Sequence, residues 1–167
     1  MLYTAVLAAI IGAALSCSPP DTKLHVTSCA QDAQIQFDAD SVQMSPYPAI
    51  LEQPITLGYT GDNSGAEVTA VDVDLELSYY GTQFWKCGWH KIPLPIKDAD
   101  ACDLLKNCPL PAGHYTTSAS LDLSPYASII EALVTDNTYY QLTMKFHDKA
   151  GTVLQCIQAQ FLLNFKA

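Results

Sequence analysis

From residue 35 onward, apolar and polar positions alternate in short runs cut by turn signals, a period of two that belongs to strands rather than helices. Ile35, Phe37 and Ala39 alternate with Gln36 and Asp38, and Val42 and Met44 extend that predicted strand to a breaker at Pro46-Tyr47-Pro48. Ile55, Leu57 and Tyr59 make a second strand, ended by a predicted turn at Gly61-Asp62-Asn63-Ser64-Gly65. In the clearest run Val71, Val73, Leu75, Leu77 and Tyr79 share one face, while Asp72, Asp74, Glu76 and Ser78 form a solvated back. Trp85, Cys87 and Trp89 are predicted to point inward, opposite Lys86 and His90, and the Pro93-Pro95 segment that follows cannot be a central strand. Residues 115–123 and the run Tyr140, Leu142, Met144 and Phe146 give two more strands. Asp148-Lys149-Ala150-Gly151 then turns the chain into a last one, with Ile157, Ala159, Phe161 and Leu163 on one face. About seven or eight antiparallel strands at this spacing predict an all-β sandwich. One segment departs from the pattern: behind Ser124 and Pro125, the residues Tyr126, Ile129, Ile130, Leu133 and Val134 follow helical spacing and predict a short helix, with a strand as the alternative because Ile and Val also suit a sheet.

Residues 2–15 are uncharged and mostly apolar, too short a run to span a bilayer, and they end in small residues and Pro19-Pro20. That reads as a secretory signal peptide, residues 1–16, followed by one domain, residues 17–167. Export to an oxidising compartment makes the six cysteines disulfide candidates before metal ligands. A cut after Ser16 keeps Cys17 and an even count; a cut one residue later leaves an odd one. Cys102 and Cys108 can close a local loop, and Cys29 and Cys156 lie near opposite ends of the chain.

Composition narrows the function. The 167 residues are 49% hydrophobic and 15% charged, enough for a single buried core. Acidic residues outnumber basic ones 17 to 8 and all the basic ones are lysines, so a net charge of −9 without any guanidinium excludes a nucleic-acid partner. Neither a phosphate-binding loop nor a dinucleotide-binding glycine turn occurs, and no cofactor is expected. His25, His90, His114 and His147 are scattered singly and read as surface histidines, with no metal site expected. Asp98, Asp100 and Asp103 lack the glycine and terminal glutamate of a calcium loop. No enzyme constellation remains. What remains is an excess of apolar bulk: nine tyrosines, five phenylalanines and two tryptophans exceed what two sheets about 10 Å apart need for a filled core. Either all of it is core, or the sheets splay around an apolar ligand.

Several segments resemble the ML lipid-recognition family over about residues 29–163. The most specific is Cys-Pro-Leu-Pro-Ala-Gly-His-Tyr at 108–115, preceded six residues upstream by Cys102; VQMSPYP at 42–48, VDVDLEL at 71–77 and Leu154-Gln155-Cys156 add to it. Leu94-Pro95-Ile96, followed by Asp100-Ala101-Cys102, is similar to the proline-rich stretch that borders the family's cavity. The segment around residues 83–89 departs, being longer and more aromatic than in the family's sterol-binding member.

The resemblance implies a non-enzymatic carrier: an immunoglobulin-like β-sandwich with an apolar cavity between its sheets, secreted or in the lysosomal lumen. It implies disulfides Cys29–Cys156 and Cys102–Cys108; Cys87, sharing a strand face with Trp85 and Trp89, is expected from that alternation as a buried thiol rather than bonded to Cys17. Val73, Leu75, Leu77 and Tyr79 are expected to line one wall and Tyr140, Leu142, Met144 and Phe146 the other. Leu94, Pro95, Ile96, Tyr126, Ile130 and Leu133 are expected around the mouth. The expected partners of a monomeric chain are a sterol, phospholipid or glycolipid and, transiently, a membrane or a protein acceptor. An extracellular interaction module with a filled core is the alternative.

Overall fold

The computed structural model describes Cys17 and residues 23–94, 96 and 98–166. The predicted signal segment, 1–16, and Pro95 lie outside the described residues. In chain order the elements are β1 (His25–Ser28), β2 (Ile35–Phe37), β3 (Gln43–Ser45), β4 (Ala49–Ile50), β5 (Ile55–Asn63), β6 (Asp72–Gln83), β7 (Lys86–Ile92), β8 (Ala99–Asp100), β9 (Gly113–Leu121), α1 (Ala127–Leu133), β10 (Thr138–His147) and β11 (Val153–Asn164). They form two sheets. The larger runs β1-β11-β10-β6-β7, with β4 beside the end of β11 and β8 beside the start of β6. In the smaller, β5 lies between β9 on one side and β2 and β3 on the other. The architecture is the predicted immunoglobulin-like β-sandwich; the pairing is antiparallel except for β4, which runs parallel to β11.

Alternation decides which residues meet between the sheets. On the large sheet Val73, Leu75 and Leu77 of β6 pair with Phe146, Met144 and Leu142 of β10, and β11 continues the same face with Ile157, Ala159 and Phe161. The small sheet presents Ile55, Leu57 and Tyr59 of β5, Tyr115, Ala119 and Leu121 of β9, and Met44 of β3. All of these are at most 9% exposed, so the apolar period-two positions have gone inward as their transfer free energy requires.

The structure corrects the expected chain path in three places. The long strand predicted through residues 35–44 is split by a 3-10 turn, Ala39–Ser41, because the Asp38 carboxylate accepts the Asp40 amide at 3.0 Å and draws the backbone away from a ladder. β2 and β3 consequently pair with different parts of β5. The turn predicted from Gly61 onward starts later, since β5 continues to Asn63. Gly61 serves close approach instead: a Cβ there would lie 2.7 Å from the Tyr115 hydroxyl and 2.6 Å from the Gln36 carbonyl oxygen. Asn63, buried, then organises the turn by donating to the Ala66 and Pro111 carbonyls and accepting from Gln34 and the Gly65 amide.

The third correction concerns the predicted inward trio Trp85, Cys87 and Trp89. Gln83 pairs with Lys86, which leaves Phe84 and Trp85 as a two-residue hairpin turn with φ of 49° and 65°. The register then puts His90 and Ile92 on the inner face, opposite Tyr79 and Leu77, while Trp89 pairs with Tyr80 on the outside. A one-residue change of parity flips every side chain. Cys87 is therefore no buried thiol: it is exposed and bonded to Cys17. The other two disulfides, Cys29–Cys156 and Cys102–Cys108, are as implied by the resemblance. The predicted helix forms as a 3-10 turn, Ser124–Tyr126, with Pro125 in its first turn, leading into α1.

Candidate functional site

The two expected walls are one wall. Tyr79, Leu77, Leu75 and Val73 lie directly across from Tyr140, Leu142, Met144 and Phe146 in adjacent strands of the large sheet. Alternation shows which face a strand buries but not which strand it neighbours, so it could not separate these two readings. The opposite wall is the small sheet, with Leu57, Tyr59, Tyr115 and Ala119 at its centre. Sequence reasoning had these residues as strands but did not assign them to the site.

Polar groups are sparse between the sheets. Gln155, on the inner face of β11, joins the two sheets: its Oε1 accepts from the Tyr59 hydroxyl and its Nε2 donates to the Tyr115 hydroxyl, each at 3.3 Å. Tyr59 also meets Phe37 and Tyr115 edge to face, with ring centroids 6.1 and 6.4 Å apart. Two further inner hydroxyls, Thr117 on the small sheet and Tyr140 on the large, are buried and make no hydrogen bond among the described residues. Such groups are exceptions in folded proteins and call for a partner. The Tyr140 ring stacks on Phe161 at 6.5 Å.

Burial suppresses the acid dissociation of three inner phenols, Tyr59, Tyr115 and Tyr140. Desolvation, with the Tyr115 ring as a second cause, holds Tyr59 far above its ordinary value; desolvation, then Asp136 and Tyr79, raises Tyr140. Desolvation pushes Tyr115 up to about 12, against the Gln155 hydrogen bond and with a smaller contribution from Asp62. Each phenol holds its proton more tightly folded than unfolded. Their contribution to stability is complete below the unfolded value of about 10 and is lost as pH rises through the folded values. Alkaline titration is therefore expected to unfold the protein cooperatively above pH 10, with the phenolate absorbance that belongs to Tyr59, Tyr115 and Tyr140 rising together with the loss of sheet dichroism. Ionisation of Tyr59, Tyr115 and Tyr140, identified by the absorbance their Phe variants lack, well below the unfolding transition would contradict this burial.

At the expected mouth the residues divide. Ile130 of α1 is fully buried and belongs to the core, whereas Leu133 is 49% exposed and Tyr126 half-buried. Leu133 and Val134 line a cavity of about 220 Å³ with Tyr79, Tyr80 and Thr82 of β6, so the end of α1 lies beside the end of that strand. Leu94 and Ile96 are half-buried on the other flank of β6, where the Ile96 carbonyl accepts the Leu75 amide at 3.3 Å. The chain then crosses to the small sheet: Ala101 bonds to Val71, and Lys106 and Leu104 bond to Ser118 and Ser120 of β9. The Cys102–Cys108 bond lies within this crossing.

The solvated back of β6 is paired rather than free. Asp72 meets Lys149 at 2.5 Å, and Glu76 pairs with Lys91. The expectation of four isolated histidines fails for His147, whose side chain is only 14% exposed and whose Nε2 lies 3.7 and 3.8 Å from the Asp74 and Asp98 carboxylates. The loop that returns Asp98 to β6 builds this group, with the Asp98 amide donating to Asp74 at 3.0 Å. Lys145, opposite Asp74 on β10, shares the same hollow, so the group is a mixed ionic cluster on the outer face. The sequence signal was present in the β6–β10 register, which sets Asp72 and Asp74 against His147 and Lys145, but could be read only once that pairing was known.

The ML domain matches residues 23–163. No match was found among curated proteins. Among solved structures, a Niemann-Pick type C2 protein from Japanese carpenter ant is similar at a TM-score of 0.50 and 14% identity, covering 83% of this chain and 98% of that one. Chicken MD-1 complexed with lipid IVa is similar at a TM-score of 0.43 and 11% identity, covering 89% of this chain and 94% of that one.

Proposed function

Because the chain belongs to the ML-domain family, a family of lipid-binding proteins, we propose that it is a non-enzymatic carrier holding a sterol or acyl lipid between its two sheets. The observation that carries this reading is the pair of facing apolar surfaces, broken by the buried, unpartnered hydroxyls of Thr117 and Tyr140. An apolar ligand entering there gains roughly 25 cal/mol for each Å² of its surface removed from water, without any catalytic group. Its single hydroxyl, carboxyl or ester is the kind of partner that either orphaned hydroxyl lacks. Met44 and Met144, one on each sheet, are unbranched and can shift rotamer to admit it.

Tyr79, Leu94, Ile96, Tyr126 and Leu133 flank the route by which a lipid would enter. Three disulfides support function in an oxidising compartment, secreted or lysosomal, with the chain acting as a monomer that contacts membranes transiently or hands its cargo to a protein acceptor.

A second reading, an interaction module with a filled core, draws on the near-complete coverage of the inner faces. Titration with a fluorescent sterol and a fluorescent fatty acid separates the two. Saturable uptake of either, competed by its unlabelled counterpart, is expected for a carrier. Absence of uptake of both, in protein that melts cooperatively, would favour the filled module.

A further inference from the structure

The turn between β6 and β7 presents two large aromatic side chains to solvent: Phe84 is 86% and Trp85 87% exposed. Single exposed apolar residues are ordinary, but two adjacent aromatics at one tip are not. Their backbone makes this sharper. Both residues have positive φ, a conformation that a two-residue hairpin turn normally gives to Asn-Gly or Asp-Gly and that costs a bulky side chain. Cys87, three residues from Phe84, is bonded to Cys17, and Trp89 packs against Tyr80 and Tyr139 behind the tip.

Charge tells what the tip faces. The chain has 17 acidic residues, yet residues 78–97 contain none, and of the lysines in that stretch Lys86 stands at the tip while Lys91, farther along β7, is paired with Glu76. Lys86 adjoins the two aromatics and is exposed. An indole and a phenyl ring beside an ammonium are the side chains that occupy the boundary between hydrocarbon and headgroups, with the lysine stem reaching back to anionic phosphate or carboxylate. Among the described residues no helix is long and apolar enough to cross a membrane. Leu133 of α1, itself half-exposed, shares a cavity with the β6 end of the same hairpin.

We propose that the β6–β7 tip is a docking element for anionic lipid bilayers, with Phe84 and Trp85 entering the interface and Lys86 at the headgroups. The proposal rests on the carrier reading for its purpose but not for its test. The test uses the mature chain, residues 17–167, and vesicles of phosphatidylcholine alone or with phosphatidylserine. The decisive variant is Phe84→Asn with Trp85→Gly, because Asn-Gly suits this turn better than the native pair and should leave the melting temperature unchanged or higher. Sedimentation with the mixed vesicles is expected to fall at least about tenfold in that variant, while uptake of a soluble fatty-acid probe stays as it was. In a Trp89→Phe background Trp85 is the remaining tryptophan, and its emission should shift to the blue and be quenched by brominated lipid on vesicle binding. Replacing Lys86 by Glu should remove most of the preference for phosphatidylserine.

Equal sedimentation of the Asn-Gly variant and the native chain would overturn the proposal, as would a Trp85 emission that vesicles do not move. Failure of the native chain to bind either vesicle would overturn it too and would favour a protein acceptor. A native chain that docks through the tip yet takes up no probe would sink the carrier reading alone.

Discussion

Replacing Met144 by Trp is expected to abolish uptake of a fluorescent sterol or fatty-acyl probe while the sandwich still folds. Met144 is buried on the inner face of β10, between Leu75 of β6 and Ile157 of β11, and points toward the small sheet. An indole at that position takes the space a lipid tail would occupy. Overpacking of this kind costs roughly 1–3 kcal/mol, which cores commonly survive. Leu77→Trp, one pair along the same two strands, should act alike. The comparison that gives the result meaning is Thr143→Trp, whose side chain lies on the outer face; it should take up probe as the native chain does. Unchanged uptake in a folded Met144→Trp protein would show that this face is not the ligand's wall.

Loss of the Cys29–Cys156 bond should have the largest effect on stability. It closes 127 residues of sequence, against six for Cys102–Cys108. In the chain-entropy account these correspond to about 5 and about 2 kcal/mol respectively. The longer bond also ties the segment after β1 to β11, where the Cys29 amide donates to the Cys156 carbonyl at 3.2 Å. Denaturant midpoints of the paired alanine variants should therefore fall much further for Cys29 and Cys156 than for Cys102 and Cys108. Equal losses would mean that the bonds act on native strain or local contacts rather than on the unfolded chain.

The alternation of β6, β10 and β11 was legible because each strand buries one face and wets the other, so composition alone writes the period. Pairing was not legible. Whether Leu77 faces Leu142 across a chamber or neighbours it in a sheet depends on the order of strands, which contacts distant in the chain decide. Trp85 was misplaced for a different reason: an aromatic residue in alternation with Cys87 and Trp89 looks like strand, and nothing in the sequence marks Phe84-Trp85 as a turn that usually takes Asn and Gly. Gly61 erred in the opposite sense, a glycine in a turn-like run that proved to be a strand position where Tyr115 leaves no room for a Cβ. His147 gained its carboxylate neighbours only through the β6–β10 register and the loop that returns Asp98. The motif residues carried more than the periodicity did, since they implied two disulfides that the structure contains.

Native mass spectrometry of the chain, purified from eukaryotic cells with its disulfides formed, tests most directly whether the sandwich carries lipid. The expected spectrum shows the protein with three disulfides plus one adduct of sterol or acyl-lipid mass, recoverable in solvent extract and missing from the Met144→Trp variant. A bare protein mass that acquires no adduct after incubation with sterol, fatty acid or phospholipid would contradict the account.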